Sequence, residues 1–447
     1  MELSQVRLSI IGAGYVGLVS AVCFADRGYE VTLSSEDPEK VKQINNCISP
    51  FYEKDLEETL KKAVGSGKLR ATLGREDAVL DSDVTFVAVG TPSKTDGSID
   101  LTYIKDSCTK IGKVLQEKTG YHLVVVRSTV VPGTTENVVK PIIEKFSRKA
   151  AGKDFGLVMQ PEFLRQGSAI YDTINPDRLI IGEHDPRSGE SLLNLYQEFY
   201  KEKFPPTLRV NLSSAEMIKY ASNAFLATKI SFINEVANVC EKVRGVDVVK
   251  VAEGMGLDQH IGKKFLHAGP GFGGSCFPKD LKAIVAFARE CNYTPKILES
   301  VLKVNENQAN HIVELAKSQL KTLRGKRIAV LGVSFKPGTD DIREAPSIRI
   351  IRQLLKGGTE IIVYDPVAIK NASKTFGKKI EYVDSVRSCL KNADAALIVT
   401  EWEEFNKLTP TDFKQLMKYP IVIDARRIYD PATYRSDTAY TAIGLGR

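Results

Sequence analysis

Residues 6–17 read Val6-Arg7-Leu8-Ser9-Ile10-Ile11-Gly12-Ala13-Gly14-Tyr15-Val16-Gly17. A short apolar run ends in Gly12, and a helical apolar pattern follows from about Tyr15 to Asp26. The stretch is therefore strand, tight turn and helix, and its glycines fit G-x-G-x-x-G. Gly12 permits the turn, Gly14 lets backbone approach a pyrophosphate, and Gly17 lets helix and strand pack closely. The exposed N–H groups at the helix start attract the anion. Tyr15 and Val16 lie in the same turn. This is the signature of a dinucleotide site.

Working outward, residues 30–33, 84–89 and 123–127 are further apolar, β-branched runs. The last two are followed by turn-prone segments, Gly90-Thr91-Pro92 and residues 128–133. Strands alternating with helices predict a parallel, doubly wound sheet, whose ligands gather at the carboxyl ends of the strands. Gly90, Thr91, Pro92, Ser128 and Thr129 are candidate cofactor contacts on that ground. The ribose-reading acid is expected at the end of the second strand. That place holds Ser35, with Glu36 beside it and Lys40 a turn later. NAD is the expected cofactor. Ser35 lacks the charge that repels a 2′-phosphate, which opens the site to NADP; the alternative is that Glu36 supplies the acidic partner instead.

The middle of the chain changes character. Residues 213–243 lack Pro and Gly and predict one helix of about 28 residues, about 40 Å long. Ser213 or Ser214 is the expected N-cap, with Glu216 in the first turn and Gly245 past the end. Such a helix suits a domain junction or a dimer interface. Two more helices are expected at 279–291 and 296–323. The α/β pattern then restarts, with runs at 327–331, 360–364, 395–400 and 420–424. The expected architecture is α/β: two Rossmann-like doubly wound parallel-sheet domains joined by a central long-helix segment. The expected boundaries are 1–205, 206–320 and 321–447.

Between the predicted helices lies Gly269-Pro270-Gly271-Phe272-Gly273-Gly274-Ser275-Cys276-Phe277-Pro278-Lys279-Asp280. Its glycines let backbone close around a ligand, and a thiol, a cation and a carboxylate follow. A reactive thiolate needs a positive charge or a helix N-terminus nearby. Cys276 precedes a predicted helix start and is the candidate nucleophile. The other six of the seven cysteines are scattered and read as buried structural thiols.

Composition narrows the alternatives. The net charge of +7 comes with no dense basic stripe and interleaved aromatics, so nucleic acid is not an expected partner. The cysteines show no paired metal spacing, so no metal site is expected. No apolar run approaches 20 residues and no signal peptide is recognised, so a soluble cytoplasmic protein without membrane partners is expected.

The chain resembles the UDP-glucose/GDP-mannose dehydrogenase family over nearly its whole length. The resemblance rests on residues 12–18, Val-Gly-Thr-Pro (89–92), Asp-Gly-Ser (96–98), Ser-Thr-Val (128–130) and Pro-Glu-Phe-Leu (161–164). It continues through Glu-Met-Ile-Lys-Tyr-Ala-Ser-Asn (216–223), the Cys276 loop and Phe-Lys-Pro-Gly-Thr-Asp-Asp-Ile-Arg-Glu (335–344). Residues 223–235 and Cys-Phe-Pro-Lys-Asp look most like the UDP-glucose branch. The resemblance implies a four-electron oxidation of a primary alcohol to a carboxylate, through a thiohemiacetal and a thioester on Cys276. It implies that Lys219 and Asn223 stabilise oxyanion charge and orient water. It also implies that Asp280 acts in proton transfer, and that Glu162 and Thr129 serve thioester hydrolysis. Phe163, Leu164, Phe265, Gly273, Phe335, Lys336 and Arg426 match positions that hold the nucleotide sugar, while Lys279 and Arg343 match positions that meet the dinucleotide. A homodimer or higher homo-oligomer is expected.

Three departures from the family pattern stand out. Ser35 replaces the ribose-reading Asp. Gln166 stands where relatives often carry Glu. His260 stands where relatives have an Arg that reaches a partner subunit's sugar, which opens the choice of sugar. The expected substrate is UDP-glucose. Another nucleotide sugar (UDP-N-acetyl-hexosamine, UDP-galactose or GDP-mannose) is the alternative, and a non-catalytic nucleotide-sugar binder is a third reading.

Overall fold

The computed structural model describes residues 6–446. The chain divides into two compact units, Met1–Ser222 and Asn223–Arg447.

In the first unit the strands are β1 (Arg7–Ile11), β2 (Glu30–Ser34), β3 (Leu69–Thr72), β4 (Val84–Val87), β5 (His122–Val126), β6 (Phe155–Met159), β7 (Leu179–Glu183) and β8 (Thr207–Asn211). Among the described residues they form one sheet in the order β3-β2-β1-β4-β5-β6-β7-β8. The order reverses between β1 and β4, so the 12–17 turn opens at the switch point, where a crevice forms. All five residues of β5 are buried, as expected for a strand covered by helices on both faces. One feature departs from the expected parallel sheet: β6 and β7 pair antiparallel, Met159 opposite Gly182. The sheet also runs on to Asn211 through β8.

The second unit holds β9 (Arg327–Leu331), β10 (Glu360–Tyr364), β11 (Glu381–Tyr382), β12 (Ala395–Ile398), β13 (Ile421–Asp424) and β14 (Ala439–Ala442). Their order, β11-β10-β9-β12-β13-β14, repeats the same winding with all pairs parallel. The fold is thus two α/β sheet domains with a central helical segment. Its core includes Ile328, Val330, Ile350, Ile351 and Leu397, all fully buried.

The long helix spans Leu212–Cys240, 29 residues. Its start corrects the expected capping. The chain enters the helix before either serine, and Asn211 Oδ1 accepts the Ser214 N–H at 2.8 Å. Glu216, expected as a first-turn charge, is fully buried instead. The helix also stops five residues short of Gly245. The neighbouring helices run Phe277–Glu290 and Lys296–Leu320.

Candidate functional site

The dinucleotide turn is built as its glycines require. Gly12 has φ +112°, and a Cβ there would lie 2.6 Å from the Ala88 carbonyl oxygen. A Cβ on Gly17 would lie 1.8 Å from the Gly12 oxygen, so no side chain fits. At Gly14 the same space is open. A crowded floor with an open middle position is the shape a pyrophosphate needs above the start of helix Tyr15–Asp26, so the residues fit a dinucleotide.

Around the turn, Thr91 Oγ1 donates to the Thr129 carbonyl at 2.9 Å and Ser128 Oγ to Val89 O at 2.7 Å. These bonds bring together the segments after β4 and β5, which carry the candidates Gly90, Thr91, Pro92, Ser128 and Thr129. At the end of β2, Ser35 is buried and its Oγ accepts the Asp37 N–H at 3.2 Å. Lys40 lies in helix Pro38–Asn45, 3.9 Å from Asp37. Glu36 is clasped by Arg75 at 2.7 Å. Val16 opens helix Tyr15–Asp26 beside Tyr15.

Two buried carboxylates that sequence reasoning missed brace this unit. Glu53 accepts the Tyr15 hydroxyl and the backbone N–H groups of Gly167, at 2.6 Å, and Ala169, at 2.8 Å. It therefore links the dinucleotide turn to the segment beyond Gln166. Burial holds the Tyr15 phenol above its usual range, and the Glu53 carboxylate adds to the effect. Glu216 accepts Gly133 N at 2.6 Å, and Thr135 N and Oγ1 at 2.8 and 2.6 Å. Burial raises its carboxyl to about 7 despite those three donors. The available signal for Glu216 was its place three residues before Lys219. Glu53 carried none.

Lys219 and Glu162 form the buried ion pair of the same unit. Lys219 Nζ donates to Glu162 Oε1 at 3.1 Å and to the Glu162 carbonyl. Glu162 Oε2 accepts Leu164 N–H at 2.9 Å, which folds the 162–164 turn around its own carboxylate. Phe163 is faced by two cations: Lys219 Nζ at 5.2 Å and the Arg178 guanidinium at 4.1 Å from its ring centroid.

In the second unit Cys276 is exposed at the N-cap of helix Phe277–Glu290, where the helix end favours a thiolate. Arg343 lies within its electrostatic reach. The guanidinium is held above its usual range mainly by its hydrogen bond to Asp341, and Cys276 contributes to the same shift. The Arg343 carbonyl accepts Gly274 N–H at 2.9 Å, and Gly274, with φ +81°, packs so close to Phe335 that a Cβ would meet its ring at 2.8 Å. Asp280 is buried and takes two donors, Asn223 Nδ2 and Lys279 Nζ, each at 2.7 Å. Sequence reasoning missed Asn305 and Asn234, which pin the glycine loop: Asn305 Oδ1 accepts Phe272 N–H at 2.7 Å and Asn234 Oδ1 accepts Gly269 N–H at 2.8 Å.

The remaining candidates divide. Phe335 O accepts Arg426 Nη2 at 3.2 Å, and a Cβ on Gly269 would come 3.2 Å from Arg426 Nη1, so the cysteine loop and the β13 end share a wall. Lys336 Nζ sits 5.8 Å from the Phe335 ring. Phe265 takes φ +66° and its ring lies 6.4 Å from that of Phe277. A Cβ on Gly273 would strike the Glu344 oxygen at 2.6 Å, so the loop closes against backbone there. His260 stands apart, its side chain 95% exposed and paired with Asp258. Among the described residues no group of three His, Cys, Asp or Glu is placed to hold a metal, and no helix is long and apolar enough to cross a membrane.

Two wound sheets and a glycine cradle define a dinucleotide-binding α/β protein. The family profiles described as the NAD binding, central and UDP binding domains of the UDP-glucose/GDP-mannose dehydrogenase family match residues 6–200, 213–307 and 329–431. UDP-glucose 6-dehydrogenase AglM of Haloferax volcanii is 46% identical, over 94% of this chain and 97% of that relative. UDP-glucose 6-dehydrogenase TuaD of Bacillus subtilis is 43% identical, over 95% and 89%. The solved UDP-glucose dehydrogenase of the archaeon Pyrobaculum islandicum superposes with a TM-score of 0.90 at 38% identity, covering 100% of this chain and 98% of that one. The chain belongs to the UDP-glucose/GDP-mannose dehydrogenase family, and its first unit carries that family's NAD-binding domain.

Proposed function

We propose that the protein oxidises C6 of UDP-glucose to the carboxylate of UDP-glucuronate, holding the sugar covalently on Cys276 between two oxidations. The observation that carries this reading is the placement of Cys276: an exposed thiol at a helix N-cap. When bound, NAD supplies the chemistry of a hydride acceptor, once per oxidation. The chain's own groups do the rest. Lys219 offers an ammonium to the developing O6 charge. Asp280, buried between Asn223 and Lys279, takes part in passing the alcohol proton to water. The Cys276 thiolate adds to the aldehyde carbon, giving a thiohemiacetal. Loss of the second hydride and a proton from that adduct leaves a thioester. Glu162, with Thr129, draws a proton from the water that cleaves the C–S bond, which releases the carboxylate and returns the thiol.

Phe163, Leu164, Phe265, Gly273, Phe335, Lys336 and Arg426 hold the nucleotide sugar in this reading, the two cations meeting its diphosphate. Gly12, Gly14, Gly17, Lys279 and Arg343 serve the dinucleotide. The 206–320 segment carries dimerisation. Phe225, Phe232 and Val239 recur every seven residues along helix Leu212–Cys240 and are 65%, 51% and 61% exposed, a stripe suited to a second copy. A cytoplasmic location accords with seven scattered cysteines.

Another nucleotide sugar is the second reading, favoured by the exposed His260. Ser35 keeps NADP as the alternative to NAD. A steady-state screen of UDP-glucose, UDP-galactose, UDP-N-acetyl-hexosamines and GDP-mannose, each with NAD and with NADP, tests both. The expected result is highest kcat/KM for UDP-glucose, with two NADH formed per uronate. One NADH per sugar, or a clear preference for another sugar, overturns the reading.

A further inference from the structure

The ribose-reading position at the end of β2 holds a serine, and the surrounding charges show what replaces the missing acid. Ser35 Oγ accepts the Asp37 N–H and, being neutral, brings a hydroxyl but no charge to a ribose oxygen. The next residue, Glu36, is half exposed and reaches two cations from other elements. Arg75, at the start of helix Arg75–Leu80, lies 2.7 Å from its carboxylate, and Lys110, in helix Thr102–Glu117, lies 3.9 Å from it. Both cations also pair with Asp106, at 2.5 and 3.1 Å. The Arg75 side chain is only 7% exposed, so its guanidinium is built into the wall at this point.

An arginine and a lysine at the end of β2 are the groups that receive a 2′-phosphate in a dinucleotide fold. Here Glu36 covers them. We propose that Glu36 determines coenzyme choice: it masks a latent 2′-phosphate site made by Arg75 and Lys110, and so selects NAD over NADP without an acid at position 35. With Glu36 in place, an incoming 2′-phosphate meets a carboxylate and two cations that are already neutralised. With Glu36 made neutral, Asp106 alone balances Arg75 and Lys110, and one positive charge faces the phosphate.

The inference rests on the dinucleotide reading of the 12–17 turn, and not on the identity of the sugar. Its test is therefore coenzyme binding without sugar. Dissociation constants for NADH and NADPH are measured by nucleotide fluorescence on the wild type, Glu36→Gln and Glu36→Gln/Lys110→Gln, with thermal melts to check folding. The wild type is expected to bind NADH more tightly. Glu36→Gln is expected to shift the NADH/NADPH ratio toward NADPH by roughly tenfold, through tighter NADPH binding. The added Lys110→Gln change is expected to reverse most of that gain. An unchanged ratio in folded Glu36→Gln, or a wild type that binds NADPH as well as NADH, overturns the proposal. Failure of uronate formation with normal NADH binding would instead count against the proposed reaction alone.

Discussion

Lys219 Nζ lies 3.1 Å from Glu162 Oε1, and the two side chains are only 5% and 6% exposed. The groups proposed for oxyanion stabilisation and for thioester hydrolysis are thus one desolvated ion pair. Removing one partner leaves a buried charge, which costs about 3 kcal/mol or more. Lys219→Met is expected to lower stability by that order and kcat by ~10²–10³-fold. The double variant Lys219→Met/Glu162→Gln should recover much of the stability and none of the activity. Urea unfolding beside steady-state assays separates the two effects.

Glu216 holds the backbone at Gly133 and Thr135, just past Thr129 in the same loop. Its role is to position that loop. Glu216→Ala is expected to lower kcat ~10-fold or more with less change in the KM for sugar, since a misplaced group is felt most in the transition state. Hydrogen exchange should rise at residues 128–135. Unchanged exchange there would contradict the assignment.

His122, in β5, is buried, and burial lowers its ring to about 3. Its Nε2 lies 2.8 Å from Thr85 Oγ1. Because the folded pKa is depressed, the unfolded chain binds the extra proton below about 6.5. This group's stabilising contribution is full above that pH and falls as pH drops from about 6.5 toward 3. His122→Gln should therefore flatten the loss of melting temperature between pH 7 and pH 5. An identical slope in wild type and variant would contradict the neutral assignment.

Asp55 takes φ +64° before helix Leu56–Gly65 and makes no side-chain capping bond. A left-handed non-glycine residue carries steric strain that glycine avoids. Asp55→Gly is expected to stabilise the first unit by about 0.5–1 kcal/mol, read as a higher urea midpoint with unchanged m-value.

Much of this molecule was legible in its sequence where one physical signal dominated. Buried parallel strands such as His122–Val126 are continuous apolar runs, and the 12–17 turn admits almost nothing but glycine. Cys276 stood out as a candidate because glycines, thiol, cation and carboxylate follow one another along residues 269–280. What escaped was set by long-range partners. Glu53 and Glu216 look like ordinary surface carboxylates until the fold brings backbone N–H groups 116 and 83 residues distant to them. Asn305 and Asn234 hold the cysteine loop from other helices. The helix start at Leu212 was misplaced because Asn211 took the capping role that either serine also suited. The antiparallel β6–β7 pair left no mark, since a buried strand has the same composition in either direction. Glu36 stood out in the sequence, but its clasp by Arg75 did not.

In the proposed reaction Cys276 carries the sugar between two oxidations. The most direct measurement is uronate formation by Cys276→Ala supplied with UDP-glucose and NAD, with NADH binding checked in parallel. Normal NADH binding is expected, with uronate formation at least ~10³-fold slower than in the wild type. Uronate released at the wild-type rate would contradict it.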